Sequence, residues 1–129
     1  MIAEWAALIA IAWRIWGVED VPFTVEYQEG PYQAMATQWP ASEPCRVWID
    51  PDSDRYPPEE RLGLMVHEAG HCLGLDHHPD GGVMTDGRFW KVPSPAERQA
   101  LTDLIDSGAP WERRSYGFRA VMPGLASGS

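Results

Sequence analysis

Basic residues are scarce in this chain. Its 129 residues include 10 Lys and Arg against 19 Asp and Glu, which gives a net charge of -9 at pH 7. Nucleic acids and anionic membrane surfaces bind to positively charged faces, so this balance argues against both as partners. The acidity fits a protein that accepts neutral or cationic substrates.

Cysteine is almost absent as well. Cys45 and Cys72 are the only two, so no disulfide framework carries the fold. The pair could form a single bridge, which would indicate an oxidising compartment, or both thiols could be unpaired. We favour the second interpretation, in which Cys72 is a small buried apolar residue and Cys45 begins a strand.

No apolar run is long enough to cross a membrane. Residues 2–16 come nearest, but the segment is short and contains Glu4 and Arg14. The Ala-Ile-Ala sequence at 10–12 resembles a signal-peptide cleavage site, which leaves secretion open, although Glu4 stands where a basic leader is needed. Helical spacing of the apolar residues favours a buried helix, with Ile2, Trp5, Ile9, Trp13 and Trp16 along one side. We expect no stable membrane insertion.

The remaining pattern predicts helices and short strands of a small α+β domain. The first helix ends at Gly17, and strands are expected at 23–27, 33–39 and 46–50. The length supports a single domain, 1–129. Within it we assign the first helix and the sheet to 1–58, a long helix to 59–75, and a loop, a last helix and a tail to 76–129.

Two helix boundaries are marked clearly. Prolines at 57–58 begin the long helix, which runs to about Leu73 and ends at Gly74, a residue suited to a left-handed C-cap. Ser94 and Glu97 form a capping box that begins the last helix.

The long helix carries the residues that indicate chemistry. His67 and His71 lie about 40° apart around the helix and one turn apart along it, so both imidazoles can reach one metal ion. Glu68 lies about 60° beyond His71, beside the ion without pointing at it. This is the position of a carboxylate that holds water instead of acting as a ligand.

A third ligand has to come from outside this helix. Gly74 can end the helix in a left-handed conformation and turn the chain back, which brings His77 towards the same ion. Three neutral imidazoles leave the fourth position of a tetrahedral zinc open for water, as in catalytic zinc sites.

The pattern over 67–77, H-E-x-x-H-x-x-G-x-x-H, resembles the extended zinc-binding motif of the metzincin metallopeptidases. Gly82–Met84 is similar to their Met-turn, and the sequence around the motif most resembles that of the matrixins. Phe23–Thr24 after the first helix, and the helix over 94–105, also resemble a matrixin-type domain. The resemblance implies a metzincin-like, zincin-like fold: a small mixed sheet, a first helix, the zinc-binding active-site helix, the Met-turn loop and a C-terminal helix.

The resemblance also implies an activity, the zinc-dependent hydrolysis of internal peptide bonds in a peptide or protein substrate. His67, His71 and His77 would bind Zn²⁺, and Glu68 would activate the metal-bound water as general base. Two alternatives remain: an amidase that uses the same site on a non-protein substrate, and an inactive zinc-stabilised binding module. Glu68 argues against the second alternative, because a structural zinc site needs no such carboxylate.

Two lesser candidates accompany the motif. Asp50, Asp52 and Asp54 alternate and could offer oxygens to a structural Ca²⁺, although Asp-rich segments also form plain turns. His78 could be a further metal ligand or substrate contact, and a solvent-exposed neighbour of His77 is the simpler interpretation. The sequence indicates neither the oligomeric state nor the compartment.

Overall fold

The computed structural model describes residues 1–19, 21–37, 44–77, 82–85, 92–106 and 126–128. In chain order, the elements are helix α1 (Ile2–Trp16), strands β1 (Phe23–Tyr27), β2 (Ala34–Thr37) and β3 (Cys45–Ile49), helices α2 (Pro58–Cys72) and α3 (Pro95–Asp106), and strand β4 (Ala126–Gly128). A short 3-10 helix, Pro51–Arg55, lies between β3 and α2. The predicted α+β class with a small mixed sheet is therefore confirmed.

The sheet has the strand order β1-β3-β2-β4. β1 runs parallel to β3, whereas β2 is antiparallel to both β3 and β4. Alternation along β3 buries Cys45, Val47 and Ile49 while Arg46 is exposed, because successive side chains of a strand point to opposite faces. The strand predicted over 33–39 forms at 34–37, and residues 38 and 39 lie outside the described part.

Helix α1 is the buried amphipathic helix that the apolar spacing predicts. Its buried side comprises Trp5, Ile9, Ala12, Trp13 and Trp16, and the helix ends at Gly17 in a left-handed conformation, with φ 78°. Within the part of the chain that the structure describes, no helix has the length and apolar character needed to span a membrane.

Helix α2 packs against α1 and against strands β2 and β3, and α1 also contacts β1. Every residue from Gly63 to Cys72 is buried, although the segment contains two histidines and a glutamate. The Trp16 indole N–H of α1 donates a hydrogen bond to the Val66 carbonyl oxygen of α2 at 2.9 Å. Packing of this kind, more than intrinsic propensity, stabilises a helix of 15 residues.

Cys45 and Cys72 form a disulfide, so the interpretation of two unpaired thiols is wrong. The two residues are 27 positions apart in sequence, and their Cα atoms lie 5.8 Å apart. The sheet brings them together: the position of β3 places Cys45, its first residue, beside the last residue of α2. Both half-cystines are buried, as expected for Cys72, and the bridge ties the end of α2 to the sheet.

Candidate metal centre

Three histidines converge at the C-terminal end of α2. His67 and His71 are fully buried, and His77 is half-buried. The Nε2 atoms of the three rings are each 3.1 Å from the other two. The structure therefore brings together all three of the predicted ligands.

The chain reaches His77 through a tight turn at the end of α2. Gly74 has a φ of 103°, and two hydrogen bonds close the turn: Gly74 N–H to the His71 carbonyl, and Leu75 N–H to the Gly70 carbonyl, both at 3.0 Å. These are the two bonds of a Schellman motif. The Asp76 carboxylate then accepts the His77 backbone N–H at 2.8 Å. The expectation that Gly74 turns the chain back towards the helix is confirmed.

Hydrogen bonds at the outer ring nitrogens orient two of the imidazoles. His67 Nδ1 lies 2.6 Å from the Val83 carbonyl oxygen, and His71 Nδ1 lies 2.9 Å from the Leu75 carbonyl oxygen. A carbonyl oxygen only accepts hydrogen bonds, so each Nδ1 carries the proton and donates it. In the neutral ring, Nε2 is then an acceptor that points into the cluster.

The protein environment favours the uncharged form of His71. Burial, followed by the charges that His67 and His77 would carry, lowers the pKa of His71 well below its ordinary value. Metal ions bind the neutral imidazole, so this shift favours the form of the ring that acts as a ligand.

The spacing of the three nitrogens suits a metal ion. Acceptor nitrogens that face one another at 3.1 Å repel unless a cation or a proton lies between them. A tetrahedral zinc with bonds of 2.0–2.1 Å separates its nitrogen ligands by about 3.3–3.4 Å, close to the distance seen here. The His67, His71 and His77 cluster could thus hold a metal ion, and within the described ranges no fourth His, Cys, Asp or Glu joins it.

Glu68 directly follows His67 in α2 and is also buried. Its side chain is fully buried, and neither oxygen has a hydrogen-bond partner among the described residues. Burial raises the pKa of the Glu68 carboxyl well above its ordinary value. Burying a carboxyl group without hydrogen-bond partners costs free energy, and the ionised form costs most.

A tight turn packs against the part of α2 that carries the histidines. The turn predicted at Gly82–Met84 is present, closed by a hydrogen bond of 3.3 Å from Thr85 N–H to the Gly82 carbonyl. Met84 is fully buried and lies against Gly70, the residue just before His71. A Cβ atom at Gly70 would overlap the Met84 sulfur, so glycine is required for this close approach.

Glu97 also contributes to this region, in a way that sequence reasoning missed. The predicted capping box is present: Ser94 N–H donates to Glu97 Oε1 at 2.7 Å, and Glu97 N–H donates to Ser94 Oγ at 3.1 Å. The same carboxylate also accepts hydrogen bonds from the backbone of Val83 and Met84. Only the capping-box spacing pointed to Glu97, and it carried no sign of the contact with the turn.

The lesser candidates do not join the cluster. Asp50 accepts the backbone N–H of Asp52 and of Gly30, and Asp54 accepts hydrogen bonds from the Trp5 indole and the Tyr27 hydroxyl. Asp50, Asp52 and Asp54 do not converge as a metal site. Among the described residues, the structure thus gives no support to the possible Ca²⁺ site. His78 lies outside the described residues.

Two comparisons with known proteins found no match to this chain. No protein-family model matches the chain, and no curated protein matches it either. The resemblance to metzincins therefore remains an interpretation of the motif and the turn.

Proposed function

We propose that this chain is a zinc-dependent peptidase of the metzincin type that hydrolyses internal peptide bonds. The observation that carries the proposal is Glu68, a fully buried carboxylate whose oxygens have no partner among the described residues and which directly follows a ligand of the histidine cluster. A site that only held a metal for stability would gain nothing from such a group.

Zinc is the metal that the ligands favour. Imidazole suits zinc, copper, iron and nickel, and poorly suits magnesium or calcium. Structural zinc sites are closed by four protein ligands, whereas catalytic sites have three and keep one position for water or substrate. The described part of the chain provides three.

The roles of the residues follow from their positions. When bound, zinc polarises the carbonyl of the scissile peptide bond and makes water more acidic. Glu68 takes a proton from the attacking water and passes it to the departing amine nitrogen. A nearby cation also opposes the burial that raises the Glu68 pKa, which favours the ionised form that a base requires.

The surrounding fold supports the same proposal. The elements follow in the order that the metzincin resemblance implies. The strands β1 to β3 come first, then the helix that bears two ligands, the glycine turn to the third ligand and the turn that contains Met84. Met84 packs against Gly70, between the two helical ligands in sequence. The matrixin-like character of the proposal rests on the sequence around the motif, Val66 to His77.

The test compares Glu68→Gln with the wild type. The purified proteins are assayed for bound zinc and for cleavage of a peptide library, with the products identified by mass spectrometry. We expect Glu68→Gln to keep one zinc and to lose turnover by at least about 100-fold, since the general base is removed and the ligands are not. Glu60→Gln is the matched control, because Glu60 is exposed on the same helix.

Each other outcome has a distinct meaning. Cleavage that survives in Glu68→Gln would refute the role of this residue as base. A wild-type protein that binds zinc, cleaves no peptide and hydrolyses another amide would favour the amidase alternative. Zinc binding without any hydrolysis would favour the binding module.

A further inference from the structure

We infer that Glu97, on α3, is a positioning residue for the metal cluster, and that it acts on His67 through the single peptide group that joins Val83 to Met84. The inference rests on the proposed zinc site, because it concerns how the first ligand is held. Helix α3 would then help to orient a metal ligand, in addition to packing in the core and forming a helix cap.

Three backbone N–H groups of the described residues donate hydrogen bonds to the Glu97 carboxylate. Oε1 accepts the N–H of Ser94 at 2.7 Å and that of Val83 at 3.0 Å, and Oε2 accepts the N–H of Met84 at 2.6 Å. The side chain is fully buried. A capping box uses only the contact with Ser94, so two of the three bonds serve the turn that lies 13 and 14 residues earlier.

The turn is built closely around this carboxylate. Gly82 has a φ of 110°, a conformation that glycine adopts without strain. A Cβ atom there would overlap the carboxylate, with Glu97 Cδ only 2.6 Å away. Glu97 and the turn therefore fit together only with glycine at position 82.

One peptide group connects Glu97 to the first ligand. The N–H of Met84 and the C=O of Val83 belong to the same planar unit. Its N–H donates to Glu97 Oε2 at 2.6 Å, and its C=O accepts the Nδ1 proton of His67 at 2.6 Å. The carboxylate thus holds the plane that orients the His67 ring. Its charge polarises the peptide group, which makes the carbonyl a stronger acceptor and the His67 Nε2 a stronger ligand.

His71 provides an internal comparison. Its Nδ1 proton is accepted by the Leu75 carbonyl, within the turn that ends α2. The Glu97 carboxylate instead accepts the N–H groups of Ser94, Val83 and Met84. A change at Glu97 that acts through the Val83–Met84 peptide group should therefore affect His67 and spare His71.

The test variant is Glu97→Gln, which preserves size and removes the second acceptor oxygen. An amide has one oxygen and one NH₂, so in either orientation at least one backbone N–H of the three faces a donor. Ser94→Ala is the matched control. It removes the other half of the capping box, the bond from Glu97 N–H to Ser94 Oγ, and leaves the carboxylate in place.

The measurement is hydrogen exchange of the ring N–H protons of His67 and His71, followed by NMR in the zinc-loaded protein. We expect Glu97→Gln to speed exchange at His67 by about tenfold or more and at His71 by less than about threefold, because only the first proton loses its support. Zinc affinity, measured by chelator competition, should weaken by about 10–100-fold. Ser94→Ala should leave the ratio of the two exchange rates unchanged.

An unchanged ratio in Glu97→Gln, or an equal acceleration at both rings, would overturn the inference. Should that variant not fold, Glu97→Asp keeps the charge, shortens the reach by one methylene and is judged by the same ratio. The readout needs bound zinc but no hydrolysis. A protein that holds zinc and cleaves nothing would therefore refute the peptidase proposal alone, whereas a wild type that binds no zinc would refute both.

Discussion

Removal of the Cys45–Cys72 bridge should cost this protein a large part of its stability. The two cysteines are 27 residues apart, and closing a loop of that length in the unfolded chain corresponds to about 3.6 kcal/mol at 25 °C. Replacing both with alanine also removes two buried sulfur atoms, which adds roughly 1 kcal/mol. The total approaches the whole stability of many domains, which is about 5–15 kcal/mol.

The assay is urea unfolding of the Cys45→Ala/Cys72→Ala protein beside the wild type, both with the same excess of zinc, since a bound metal raises apparent stability. For a slope of about 2 kcal/mol/M, the midpoint should fall by about 2 M. Wild type unfolded in reductant should show the loop-closure part alone. A double variant within about 1 kcal/mol of the wild type would refute the reasoning, because the bridge would then constrain little.

Three further predictions concern the buried helix. Gly70→Ala should destabilise the protein by about 1–3 kcal/mol in urea unfolding, because the added Cβ overlaps Met84. Gly30→Ala is the control, since Gly30 has open space around it, and equal effects of the two substitutions would contradict this packing. In the zinc-free protein, the lowered pKa of His71 should reduce stability as pH falls below about 6.5. Burial raises the pKa of Glu68, so the stability of the zinc-free wild type should fall as pH rises above about 4.3. Glu68→Gln should therefore gain stability relative to the wild type over that range, and a constant difference would argue against this.

Much of the candidate site could be predicted because its determinants are local. The separation of His67 and His71 depends only on helix geometry, and the turn to His77 depends on one glycine that ends that helix. Both expectations agree with the structure. Spacing within one helix and the turn that ends it is thus enough to predict that the three ring nitrogens meet.

Contacts between distant segments could not be predicted from the sequence. The Cys45–Cys72 bridge depends on how β3 lies beside the end of α2, which no local pattern contains. Glu97 carried a capping signal that was correct and incomplete, because its second oxygen finds a turn 13 residues earlier. The alternation of Asp50, Asp52 and Asp54 left a Ca²⁺ site and a plain turn open. The hydrogen bond from Asp52 N–H to Asp50 fits the turn, and Asp54 accepts hydrogen bonds from Trp5 and Tyr27.

The peptide group between Val83 and Met84 has a consequence for any attempt to transplant this site. A synthetic peptide covering residues 66–77 would contain every ligand, yet its imidazoles would rotate freely, and ordering them would weaken its zinc binding. In the folded chain, the carbonyl of that peptide group restricts the first ring before metal arrives. A host scaffold would therefore need more than a helix with two histidines and a glycine turn. It would also need a fixed backbone carbonyl, presented from a separate segment, at the outer nitrogen of the first ligand.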